Sequence, residues 1–242
     1  MRILIVRHGD PDYSIDGLTE KGKVEAELLA DRLTAEKMDD IRCSTLGRAK
    51  LTIKPTLDRL SREATYCEWL REFDYAKVKL PYLEKEKGCW DLLPSFAKDV
   101  PEIYHPDKWL EVDFVKNSDL PKAYAYVTAE LDKLILEHGY RRTGCIYSAE
   151  RANHDTIVLV CHFGVTAVLL SHLLNCSPYS IWQHTVTLPT SVTTLYTEER
   201  EEGVVHFRCA GMGDISHLYK AGEEPAFAAR FCECFTDDTR HH

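Results

Sequence analysis

The chain has 242 residues, 44% of them hydrophobic and 29% charged, a composition that excludes a disordered chain and suits one large folded domain. Its net charge of −9 argues against a nucleic-acid partner, since phosphate-backbone binding needs clustered Lys and Arg. An acidic total still allows an anionic small molecule in a locally positive cleft.

Arg2–Val6 reads as a short strand buried on both faces, of the kind parallel sheets use. It is too short, and too soon followed by charge, for a signal peptide. The strand runs directly into Arg7-His8-Gly9, a cation and an imidazole that are costly to bury unpaired. From Thr19, apolar residues at Val24, Leu28 and Leu33 predict a helix whose inner face they form. Asp40–Cys43 predicts a second strand and Leu46–Leu60 a second helix, kinked or split at Pro55. Ala64–Cys67 is a weak third strand. Between about 78 and 121 the periodicity fails. Five prolines (Pro81, Pro94, Pro101, Pro106, Pro121), with Trp90 and Trp109, predict an irregular but packed insertion.

Helix resumes over Pro121–His138 and closes at Gly139. Ile157–Cys161 is the clearest strand, followed at once by His162-Phe163-Gly164 and an apolar helix over Val165–Leu174. Ser191–Tyr196 and Val204–Arg208 form a hairpin. No apolar run reaches the length that spans a bilayer, so no membrane association is expected. Nine scattered cysteines lack a C-x-x-C pair, and Cys232 and Cys234 with Glu233 between them make no zinc pattern. A reduced, cytoplasmic protein is expected. The terminal Arg240-His241-His242 is set aside as indistinguishable from a purification tag.

Strands alternating with helices predict a three-layer α/β/α sandwich with a largely parallel central sheet and an inserted lid region, one domain over 1–242 with the lid at about 78–121. Ligands of such sheets bind at the carboxyl ends of the strands. The two most convincing strands end at His8 and His162.

Four segments follow in order: Arg7-His8-Gly9, Ser44-Thr45-Leu46-Gly47-Arg48-Ala49, Leu70-Arg71-Glu72 and Cys161-His162-Phe163-Gly164. Together they resemble the histidine phosphatase, or phosphoglycerate mutase-like, superfamily. Leu18-Thr19-Glu20-Lys21-Gly22 and Thr190-Ser191-Val192-Thr193 add to the resemblance, which spans roughly the first third and the last 60 residues before the tail. The resemblance implies metal-independent hydrolysis of a small phosphorylated substrate through a phosphohistidine on His8, with no cofactor.

The residue chemistry agrees. Neutral imidazole can attack phosphorus, and the transferred group needs positioning and positive charge more than anything else. Arg7 and Arg48 are suited to that, being always charged and able to donate in pairs. His162 is a further donor. Glu72 is the expected general acid and base, its pKa raised, although Glu68 and Asp74 crowd the same segment. Gly9 is expected at the substrate for close backbone approach or a special angle. Phe163 replaces the family's usual small residue and either lines the pocket or packs in the core; Asp10 and Ser14 read as solvated loop.

Other readings share these residues. A mutase returns the phosphoryl group to its substrate and differs in its lid. A metallohydrolase takes His8, Asp10, Asp12 and His162 as ligands, against which two nearby arginines repel a cation. A non-enzymatic sensor only binds a phosphorylated ligand.

Overall fold

The computed structural model describes residues 1–227, 233–237 and 239; Cys232 and Arg240–His242 lie outside the described residues. In chain order the main elements are β1 (Arg2–Arg7), α1 (Glu20–Leu33), β2 (Asp40–Ser44), α2 (Gly47–Leu60) and β3 (Thr65–Cys67). Then come α3 (Leu120–Glu137), β4 (Tyr140–Thr143), β5 (Ile146–Ala149), β6 (Thr156–Cys161), α4 (Phe163–Leu174), α5 (Pro178–Trp182), β7 (Val192–Glu201), β8 (Val204–Asp214) and α6 (Ser216–Ala221).

The eight strands form one mixed sheet in the order β3-β2-β6-β1-β7-β8-β5-β4. The four from β3 to β1 are parallel, and the four beyond β1 join antiparallel. The expected parallel centre is therefore present. The short pair β4–β5, not among the expected strands, extends the sheet at one edge.

Alternation along the central strands builds two cores. Leu4 and Val6 of β1, with Val158 and Val160 of β6, pack with Leu29, Leu33, Ala49 and Ile53 of α1 and α2. Ile3 and Ile5, with Ile157, Leu159 and Cys161, face the opposite side, toward Leu131 of α3 and Val165 and Leu169 of α4. A side-chain period of two on a doubly covered sheet thus produces the three layers.

Two local expectations are corrected. The inner face of α1 is Gly22, Glu25, Ala26, Leu29, Ala30 and Leu33, while Val24 is exposed. The close approach of Gly22 to the loop after β1 sets this rotation, because a Cβ there would stand 2.2 Å from the Asp10 carbonyl oxygen. Pro55 does not split α2, which runs through it. Proline removes the hydrogen bond to the carbonyl of Leu51, an exposed residue of the helix.

Residues 78–121 form short helical turns, including Pro94–Ala97 and Asp113–Lys116, rather than one long element. They are packed as the tryptophans suggested. Leu80, Cys89, Ile103, Trp109 and Val115 are fully buried and belong to the larger core. The Trp109 ring meets Tyr124 of α3 at 4.9 Å and Tyr179 of α5 at 6.2 Å.

Candidate active site

Register brings the two histidines together. β1 and β6 are parallel neighbours with Arg7 opposite Cys161, so the residues that follow, His8 and His162, leave the same sheet edge side by side. The His8 amide donates to the Cys161 carbonyl at 3.0 Å, and the two imidazole centroids lie 4.9 Å apart. β2 ends beside them at Ser44, whose hydroxyl is 2.8 Å from His162 Nε2. α2 starts three residues later and carries Arg48 in its first turn.

His8 is 1% exposed, and its Nδ1 lies 2.7 Å from the Gly9 carbonyl oxygen. A carbonyl only accepts, so Nδ1 carries the proton and Nε2 keeps its lone pair. Burial, reinforced by the Arg7 charge, pushes the imidazole down to about 3, and it is neutral at any working pH. His162 is also held well below the usual range, by burial and then by its neighbours His8, Arg48 and Arg7. Ser44 Oγ already accepts the Leu46 amide at 3.2 Å, which frees its own proton for His162 Nε2. That arrangement leaves Nδ1–H of His162 buried without a protein acceptor.

Arg7 is 5% exposed and Arg48 7%. Burial lowers the Arg7 pKa, but a guanidinium stays charged in any protein environment. One Arg7 nitrogen donates to the Thr187 carbonyl, and one Arg48 nitrogen to Asp16 Oδ1 at 2.6 Å. The Nε atoms of both arginines are buried and unpartnered. Three buried donors without protein acceptors near one neutral imidazole carry a high desolvation cost. A phosphoryl group, with three acceptor oxygens and negative charge, relieves it.

Among the three crowded acids, only Glu72 points inward. Glu68 is exposed and pairs with Arg71 at 3.3 Å, and Asp74 is exposed. Glu72 Oε1 accepts the Phe73 amide at 2.8 Å and the Val165 amide at 3.3 Å, the latter in the first turn of α4. Burial raises its pKa, against the opposing pull of the Phe73 amide and the Arg7 and Arg48 charges. A Cβ on Gly164 would stand 2.6 Å from Glu72 Oε1 and 2.6 Å from the Trp90 ring, so this glycine makes room for both.

Gly9 makes a close backbone approach, here to α1. A Cβ there would lie 2.8 Å from the Gly22 carbonyl oxygen, and the Gly9 φ is not in the left-handed region. Phe163 opens α4 and packs, half-buried, against the larger core. Asp10 is not simply solvated, since its carboxylate accepts from Thr19 Oγ1 at 2.7 Å; Asp12 accepts from Ser14. Each of these acids is engaged by a hydroxyl, and no cluster of three or more His, Cys, Asp or Glu fit to hold an ion occurs among the described residues.

Three residues at the site were not expected there from the sequence. Glu25 is fully buried on α1 and accepts the Asp10 amide at 2.8 Å and the Ala226 amide at 3.0 Å, tying the loop after His8 to the C-terminal segment. Trp90 enters from the irregular 78–121 region, its carbonyl accepting from Gln183 at 2.6 Å. Asp16 lies on the loop after β1 and reaches Arg48.

With this geometry established, comparison with known proteins defines the class. The model of the histidine phosphatase superfamily (branch 1) matches residues 3–109 and 136–210, and the chain belongs to that family. The first matched stretch runs well into the region that resembled nothing by motif, so the segment outside the family pattern is 110–135, mostly α3. A probable phosphatase of Schizosaccharomyces pombe is 26% identical over 90% of this chain and 95% of its own length. Phosphoserine phosphatase 1 of Hydrogenobacter thermophilus is 23% identical over 85% and 90%. Among solved structures, a phosphoserine phosphatase of Entamoeba histolytica bound to phosphoserine superposes with TM-score 0.58 at 17% identity, covering 90% of this chain and 98% of the other. A mycobacterial glucosyl-3-phosphoglycerate phosphatase in complex with vanadate gives 0.56 at 18%, covering 88% and 98%. The protein is a phosphatase of this superfamily.

Proposed function

We propose that the protein hydrolyses small phosphomonoesters without a metal, through a phosphohistidine on His8. The observation that carries this reading is the neutral, Nδ1-tethered imidazole of His8 beside buried, unpartnered donors on Arg7, Arg48 and His162. In the first step the His8 Nε2 lone pair forms the N–P bond while the ester P–O bond breaks. Glu72 gives its proton to the departing oxygen. In the second step water attacks phosphorus and Glu72 takes a water proton. The N–P bond breaks and its electron pair returns to Nε2. Arg7, Arg48 and His162 bind the equatorial oxygens in both steps.

Hydrolysis is preferred over phosphoryl return to the substrate because the two similar sequences named above are a probable phosphatase and a phosphoserine phosphatase. Residues 78–121 are read as the wall of the substrate cleft, with Trp90 against Gly164 as its nearest member and Phe163 and Gly9 in supporting places. A reducing, cytoplasmic setting goes with this reading and is supported by eight free thiols among the described residues.

The test is phosphate release from a panel of phosphoserine, phosphoglycerates, sugar phosphates and aryl phosphates under exhaustive chelation. Turnover is expected to persist, and vanadate, a mimic of five-coordinate phosphorus, to inhibit it. Loss of activity on chelation and recovery with Mn²⁺ or Zn²⁺ would replace this mechanism by a metal-assisted one.

A further inference from the structure

Phosphoryl chemistry leaves one contact of Arg48 unexplained. Asp16 sits at the turn of a small hairpin, Pro11–Asp12 paired with Gly17–Leu18, in left-handed backbone conformation with φ 47°. Its Oδ1 accepts from Arg48 Nη1 and its Oδ2 from the Gly47 amide, both at 2.6 Å. α2 has no cap of its own, since the side chain of Leu46 makes no capping bond. A residue far earlier in the chain supplies the missing acceptor and holds the guanidinium with the same carboxylate. The approach is built in on both sides. A Cβ on Gly47 would stand 2.2 Å from the Asp16 carbonyl oxygen, and the Tyr13 ring lies over the guanidinium at 5.4 Å.

We propose that Asp16 is a positioning residue for phosphoryl binding: it holds Arg48 by one terminal nitrogen and so turns the unpartnered Nε toward the group bound at His8. This rests on the reading of Arg48 as a phosphoryl ligand. Two effects oppose each other. An anion near the site repels phosphate, while an arginine already fixed loses less rotamer freedom on binding it. The Asp16 side chain is 43% exposed, so its repulsion is screened by solvent, whereas its hold on the buried Arg48 is direct. Positioning wins, and loss of Asp16 weakens phosphate binding.

The measurement is the competitive inhibition constant of inorganic phosphate in the wild type, Asp16→Asn, Arg48→Ala and the double variant. Asn keeps an acceptor for the Gly47 amide, so the helix cap and the fold are retained. Asp16→Asn is expected to raise the constant roughly 10-fold, and less than about 2-fold when added to Arg48→Ala, because the two act through one guanidinium. If Asp16 served only as a helix cap, Asp16→Asn, which keeps that cap, would leave phosphate affinity unchanged in both backgrounds. If Arg48→Ala weakens phosphate but Asp16→Asn does not, or tightens it, the positioning role is overturned and the reading of Arg48 stands. If Arg48→Ala leaves phosphate affinity unchanged, the reading itself fails and the proposal with it.

Discussion

Glu72 is set apart from Glu68 and Asp74 by its surroundings, not by its letter. Its raised pKa means the carboxyl stays protonated further toward neutrality, as a general acid requires. The sign follows: turnover of alkyl phosphates, which need that proton, falls as pH rises through the raised value, and Glu72→Gln abolishes this limb. General acid help is worth roughly 10²–10⁴-fold. Glu72→Gln should therefore slow phosphoenzyme formation strongly with an alkyl phosphate and little with nitrophenyl phosphate, whose leaving group needs no proton. Single-turnover kinetics resolves the step, with Glu68→Gln and Asp74→Asn as controls. Leaving-group dependence in a control but not in Glu72→Gln would mean the acid is misassigned. A second residue-scale expectation concerns Gly164, where a Cβ would collide with Glu72 Oε1 and the Trp90 ring. Gly164→Ala should cut alkyl phosphate turnover at least about 10-fold while phosphate still inhibits; unchanged turnover would show that Glu72 need not sit there. His8, Arg7, Arg48 and His162 were legible because each stands in a short motif at an element end. Asp16, Glu25 and Trp90 were not, because their partners are distant in sequence and nothing local marks a Glu that faces inward.

The elements that deliver the site are held by contacts of their own. At the end of α3, His138 Nδ1 is 2.8 Å from Asp155 and its Nε2 is 3.3 Å from Asp40 at the start of β2. The hydrogen bond to Asp40, then that to Asp155, raises the His138 pKa against burial. Burial of Asp40 is outweighed by His138 and Arg42, which hold it down at about 2. A raised histidine stabilises the fold below its unfolded value of about 6.5, and that contribution is lost as pH rises through the folded value. A lowered aspartate stabilises above its unfolded value, and the contribution is lost as pH falls toward about 2. The melting temperature should thus decline from about pH 6.5 upward. His138→Gln should be less stable by about 1 kcal/mol at pH 6 and flatter over the same range. An equally steep decline in the variant would remove His138 as the source. The strand elements were readable because β1 and β6 are buried runs, and their pairing placed the histidines. The face of α1 was misread because packing of Gly22 on the Asp10 backbone outweighed the apolar count. The pair β4–β5 is too short to show a period, and it is placed by its pairing with β8 and by the buried Tyr140 and Tyr147.

At the scale of the molecule, residues 78–121 are joined to the larger core rather than draped over it. Trp109, 1% exposed between α3 and α5, is their deepest anchor. Trp109→Ala should cost about 3–5 kcal/mol in urea unfolding, the range for emptying a large buried aromatic site. A loss under about 1 kcal/mol would mean these residues pack loosely. The composition of this region, proline-rich with buried tryptophans, announced packing but not shape. Short turns fixed by tertiary contacts have no period to read. The sandwich itself was legible, since alternating residues of β1 and β6 feed both faces.

The central claim is that His8 Nε2 becomes covalently bonded to phosphorus. Rapid quench with phosphorus-labelled substrate should trap a phosphoenzyme that is lost in acid and persists in alkali, with the label mapped to His8. With nitrophenyl phosphate, whose leaving group needs no proton, Glu72→Gln should accumulate it, and His8→Ala should show neither label nor turnover. An acid-stable, alkali-labile adduct, label on another residue, or full turnover in His8→Ala would contradict the account.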